Sequence, residues 1–185
     1  MKRTNWTPTL AWLAAAAAAF AFAAAGPNEV SLMGRLPSFT AKRLDQQHIT
    51  LPQGIPADRS LALIAFNRTH RAEIESWIDG LQLRHDPSIA WFKMPVLKDP
   101  GNQSARDDIE SVLLARYTSE ADRARLIPLF TDRDAFIRAA GISSTARASV
   151  LVVDRDGRVL ARAEGQFDQR KGQALRETLL ASRSD

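Results

Sequence analysis

The best candidate for chemistry is the stretch Asn67-Arg68-Thr69-His70-Arg71, which follows the apolar run Leu61 to Phe66 and precedes a helical pattern. Ligands of open α/β sheets collect at the carboxyl ends of strands, and a helix that starts there offers unpaired N–H groups to anions. Asn67 or Thr69 can cap that helix through a side-chain oxygen. Arg68, His70 and Arg71 place cations at the positive helix end, an arrangement unfavourable by about 0.3–1 kcal/mol per charge. A local rule broken repeatedly marks a functional stretch. The chemistry implied is the holding of a carboxylate, a phosphate or an acidic peptide. A second reading makes His70 an acid/base, with Arg71 or Arg147 holding a small anionic substrate. The plain alternative is a solvated loop with Glu73 and Glu75 as counter-charges.

Other chemistries find little support. The chain has no cysteine, which excludes disulfides, thiolate metal sites, thiol nucleophiles and thiol-disulfide relays. His48, His70 and His85 lack the close spacing of a metal pair, so no metal site is expected. Asp154-Arg155-Asp156-Gly157 offers oxygens but reads as a hairpin turn rather than a calcium loop. Ser143, Ser144 and Ser149 stand in no nucleophile elbow, and no phosphate loop or dinucleotide glycine pattern occurs, so no cofactor is expected.

The elements that must position the loop are legible as alternating strands and helices. Val150 to Val153 is an unbroken apolar run suited to a doubly buried strand, and Leu61 to Phe66 is its natural central partner. After the turn at Asp154 to Gly157, Val159, Ala161 and Ala163 alternate with Leu160, Arg162 and Glu164, as in a strand nearer the edge. Phe39 to Leu51 reads as a hairpin about Asp45-Gln46-Gln47 or as a pair of irregular edge strands. Trp91 to Leu97 is a strand that Pro95 moves to an edge or makes irregular. Leu126 to Phe130 is a short strand interrupted by Pro128. Helical stripes occur at Ile74, Trp77, Ile78 and Leu81, and at Ile109, Val112, Leu113 and Tyr117. Asp132 caps a helix with Phe136 and Ile137 inward and Gly141 as its left-handed stop. A closing helix from Asp168 to Ala181 buries Leu175, Leu179 and Leu180. Trp77, Trp91, Phe92, Phe130 and Phe136 read as core rather than as an aromatic recognition patch. The exposed arginines Arg106, Arg116, Arg123 and Arg125 read as a solvated face, with weak partner binding as the alternative.

The expected organisation is a signal peptide over 1–25, a tether over 26–37 and one domain over 38–185. Lys2 and Arg3, the alanine-rich run Leu10 to Phe22, and Ala23-Ala24-Ala25 follow the signal-peptide pattern, with cleavage after Ala25. A periplasmic or secreted protein follows; the alternative is an uncleaved membrane anchor over 10–25, the only route to membrane association. Of 25 basic residues, Lys2 and Arg3 leave with the leader, and the remaining 23 face 21 acidic ones. That balance predicts no nucleic-acid binding.

The order of Phe39 to Leu51, Leu61 to Phe66, Ile127-Pro128-Leu129-Phe130-Thr131-Asp132 and Arg147 to Val159 resembles the thioredoxin-like superfamily, especially its peroxiredoxin-like branch. The resemblance implies a three-layer α/β sandwich: a central mixed sheet closed by a C-terminal β-hairpin plus helix. Redox members place cysteine in the loop that here reads Asn67 to Ile74, so their chemistry does not carry over. The proline that many thioredoxins place before the penultimate strand is missing from Ile142 to Ser149. Arg147 resembles the arginine near peroxiredoxin active sites, which implies convergence on the same pocket. A related Cys-poor group resembles the mitochondrial assembly factor for the membrane sector of ATP synthase, although no single motif here carries that likeness. Together these readings predict a cysteine-free binding or assembly module with a protein or peptide partner, its ligand site built from Asn67, Thr69, His70, Arg71 and Arg147. The alternatives are a non-thiol enzyme and a protein that regulates thiol-bearing partners without reacting itself.

Overall fold

The computed structural model describes residues 33–181. The expected signal peptide, and most of the expected tether, lie outside them. The described end of the tether is part of the domain: Leu36 is buried, Arg35 bridges Arg158, and the Leu36 N–H donates to the Gly157 carbonyl at 2.8 Å. The reason is that Leu36 is apolar and completes a hydrophobic layer.

Five strands form the central sheet: β3 (Arg59–Ala65), β4 (Trp91–Lys98), β5 (Leu129–Thr131), β6 (Ser149–Asp154) and β7 (Val159–Glu164), in the order β5-β4-β3-β6-β7. β3, β4 and β5 run parallel, while β6 and β7 run antiparallel to their neighbours. The two unbroken apolar runs do pair, with Leu61 opposite Val152, Ala62 opposite Leu151 and Leu63 opposite Val150. A separate hairpin joins β1 (Phe39–Lys42) to β2 (His48–Leu51). The sheet is thus mixed, with its most apolar strands innermost.

Alternation along the strands splits the core into two layers. Leu61, Leu63, Val150 and Val152 face α1 (Arg71–Gly80) and α5 (Gln169–Leu180), through Ile74, Trp77, Ile78 and Leu175. Ala62, Ile64, Leu151 and Val153 lie on the other face with Leu51 and with Phe136 of α4 (Arg133–Ala140). The caps of α4 are as read, with Asp132 accepting from the Asp134 and Ala135 N–H groups and Gly141 closing the helix at φ 67°; Asp168 is the N-cap of α5. The 154–157 turn is held by Asp154 Oδ1, which accepts from the N–H groups of Asp156 and Arg158.

Some expectations are corrected. β4 is interior rather than an edge, and Pro95 falls between the Lys93–Leu126 bridge and the Val96–Leu129 pairing, where an interrupted ladder needs no donor. Between β4 and β5 the chain forms α2 (Gln103–Arg116) and the unforeseen short helix α3 (Glu120–Ala124). α2 has no fully buried residue, and Val112 of its expected stripe is 50% exposed. Leu180 is likewise exposed, because α5 is at its last turn there.

Candidate functional site

At the end of β3 the chain enters Asn67 in extended conformation and then makes a single 3₁₀ turn, Arg68–His70, before α1. Asn67 is the cap that its side chain predicts. Its Oδ1 accepts from the Thr69 N–H at 2.9 Å and from the Thr69 hydroxyl at 2.5 Å. Both groups are therefore used in shaping the loop. His70 is only 2% exposed and stands edge-on to the Phe66 ring. The Phe66 N–H donates to Nδ1 at 3.3 Å, and the Asn67 amide nitrogen lies 3.0 Å from Nε2. Both ring nitrogens face the protein's own loop, so His70 fastens the turn to β3.

Arg68 and Arg71 are left exposed on this turn, with no ion-pair partner among the described residues. They line a small cavity of about 110 Å³ together with Asn67. Its apolar wall includes Leu63, Ala65, Ile74 and Pro95 from β3, α1 and β4, and α2 closes it with Leu113 and Arg116. Arg116 is also without an ion-pair partner among the described residues. The result is an aliphatic pit with unneutralised guanidinium groups at its mouth.

The pit's inner charge was not foreseen from the sequence. Lys93 sits midway along β4, 4% exposed, and its ammonium reaches Asp122 Oδ1 at 3.3 Å and Glu75 Oε1 at 3.7 Å. The ammonium also lies 4.9 Å from the centre of the Tyr117 ring, within cation–π range. Burial pushes the Tyr117 phenol above its ordinary value of 10.0, against the smaller opposing pull of Arg71. One signal could have revealed Lys93: a charge on the α1-facing side of an otherwise apolar strand, flanked by Trp91 and Pro95.

Arg147 is placed apart from the pit. It is exposed and does not line the cavity; a Cβ on Gly165, at the end of β7, would come within 2.9 Å of its Nη1. The loop and this segment are nevertheless joined, because Glu73 Oε2 accepts from the Ala148 N–H at 2.6 Å. Asn67 and Arg71 thus meet at one cavity, Thr69 and His70 build the turn beneath them, and Arg147 lies elsewhere.

A larger groove of about 580 Å³ opens near the start of β4, but its arginines are engaged. Arg43 pairs with Asp45, Arg84 with Glu75 and Asp79, and Arg125 lies 4.9 Å from the Trp91 ring centre. His48 and His85 are exposed in separate segments, and among the described residues no His, Asp and Glu group is arranged to hold a metal ion. Among the same residues no helix is long and apolar enough to cross a membrane.

No family model and no curated protein matches the chain. Solved structures do. BsSco, a member of the Sco family of cytochrome c oxidase assembly proteins, is 15% identical over 80% of this chain and 92% of its own, with a TM-score of 0.52. A candidate electron transfer protein from Aquifex aeolicus VF5 is 11% identical over 83% and 97%, with a TM-score of 0.56. An uncharacterized conserved protein from Geobacillus kaustophilus is 15% identical over 81% of both chains, with a TM-score of 0.51. Identities this low speak to fold alone. The chain has the thioredoxin-like fold, with a central five-stranded mixed sheet and no cysteine.

Proposed function

We propose that this protein is an exported, cysteine-free thioredoxin-like module that holds a protein or extended peptide at the carboxyl end of β3, without thiol redox activity. The observation that carries the reading is the pair Arg68 and Arg71, exposed and unneutralised at the mouth of an apolar pit. This is the loop in which redox members of the superfamily place cysteine. A disulfide switch was identified in BsSco, a member of a family of assembly proteins; the present chain has no cysteine for such a switch. Export through residues 1–25, descent from the peroxiredoxin-like branch and kinship with the ATP synthase assembly-factor group belong to the same proposal. The enzyme alternative is less favoured because neither nitrogen of His70 is free to meet a substrate.

The test is affinity capture by residues 26–185 from the cell envelope of the source organism, with mass spectrometry of what is retained. A protein retained by the wild type and by Arg147→Ala, but lost with Arg68→Ala/Arg71→Ala, is expected. Equal retention by all three, or no specific protein, overturns the reading.

A further inference from the structure

We infer that the pit takes the free C-terminus of a peptide ending in a branched aliphatic residue. This rests on the partner-holding reading above and names what is held. The pit is small, at about 110 Å³, which suits a single aliphatic side chain. Leu63, Ile74 and Leu113 make the wall aliphatic. At the rim, Arg68 approaches from the turn, Arg71 from the start of α1 and Arg116 from α2, so a carboxylate beside the aliphatic group would be met from more than one side. Guanidinium groups bind carboxylates through paired N–H donors, and the start of α1 adds its positive end. Capture of a C-terminal carboxylate is an established mode of peptide recognition, and here guanidinium groups would supply the donors.

Charge complementarity selects an anion. Lys93 is held by Asp122 and Glu75, leaving the three arginines as the surplus charge of the cavity. A solitary short carboxylic acid would gain one aliphatic burial and one ion pair, too little to offset the loss of freedom on association. The ligand therefore runs on beyond the pit as a chain, across the exposed loop at Asn67 to Thr69.

The experiment is titration calorimetry on the full chain with three probes: a neutral acetylated pentapeptide ending in leucine, the same peptide as its C-terminal amide, and 4-methylpentanoate. The peptide acid is expected to bind about tenfold or more tightly than either other probe, the size of one charge-assisted contact. Arg71→Ala and Arg116→Ala, both on exposed positions, are each expected to weaken the acid about tenfold while leaving the circular dichroism spectrum unchanged. Ala65→Leu, which fills the pit, should abolish binding; Thr118→Ala, outside the cavity lining, should not change it. Equal binding of acid and amide overturns carboxylate recognition, 4-methylpentanoate binding as tightly as the peptide overturns the chain-terminus assignment, and silence from all three overturns the inference entirely. If the captured partner still depends on Arg68 and Arg71 when the peptides fail, only this inference falls; if both fail, the partner-holding reading falls with it.

Discussion

Replacing Lys93 tests how the interior of the site is held together. Its ammonium is almost wholly buried, yet its nearest carboxylate oxygens stand at 3.3 and 3.7 Å, longer than the best ion pairs. The two carboxylates are each about one-third exposed, at 31% for Asp122 and 30% for Glu75, and Glu75 also holds Arg84 at 2.6 Å. Removing the lysine therefore strands no buried charge, whereas removing the carboxylates does. A buried ion left without its partner costs about 3–5 kcal/mol, while exchange of a buried ion pair for apolar groups is often neutral or stabilising. Lys93→Met keeps the unbranched shape and loses the Tyr117 ring contact, so its stability should fall by no more than about 1 kcal/mol. Glu75→Gln/Asp122→Asn should lose about 3–5 kcal/mol. For a domain of this size that corresponds to a fall in Tm of about 6–20 °C.

The triple variant Lys93→Met/Glu75→Gln/Asp122→Asn separates the causes. Once the ammonium is gone its stranding no longer costs anything, so most of the double variant's loss should be recovered. Urea unfolding at constant m measures all four proteins. A triple variant as unstable as the double would refute the reasoning, because the carboxylates would then be acting through something other than Lys93. A loss above about 3 kcal/mol in Lys93→Met alone would refute it equally, since that is the size of a stranded charge.

Tyr117 is the only tyrosine, so phenolate absorbance reports it alone. Its alkaline midpoint in the folded protein should lie above 10.0 and return to about 10 in denaturant. Because the folded value is raised, the associated stability is complete below 10.0 and is lost as pH climbs through the folded value. Tyr117→Phe should remove that decline, and a folded midpoint at or below 10.0 would contradict it. The Ser149 hydroxyl is buried at the start of β6 without a hydrogen-bond partner among the described residues, so Ser149→Ala should leave stability unchanged or raise it by up to about 2 kcal/mol. Denaturant unfolding checks this, and a loss above about 1 kcal/mol would show that the hydroxyl is used.

Much of the framework was legible because its signals are local. Unbroken apolar runs at Leu61 and Val150 marked the central strands, and their pairing in the sheet follows from the need to bury both faces. Asn67, Asp132 and Asp168 cap as their side chains allow. Helix α2 was legible in place but not in burial: Ile109, Val112 and Leu113 recur at helical spacing, yet the helix lies over a cavity instead of sinking into a core. At the site, the cationic loop was visible, but the division of labour within it was not. Asn67 and His70 meet only because the 3₁₀ turn folds residue 70 back toward Phe66. Arg147 was linked to the loop by resemblance, and Glu73, through Ala148, makes the observed connection instead.

The amino-acid sequence alone determined that the chain brings no cysteine thiol of its own, because folding cannot supply an atom the side chains lack. It likewise determined the alternation of strands and helices, since backbone preference and side-chain periodicity act within a few residues. Only the tertiary structure decided that Lys93 meets Asp122, 29 positions away, beneath Tyr117, and that Arg116 faces the same pit as Arg68 and Arg71. Those contacts come from sheet order and from the path of the chain between β4 and β5. No spacing rule reaches across such a segment, because the distance between two side chains there is set by packing against a third.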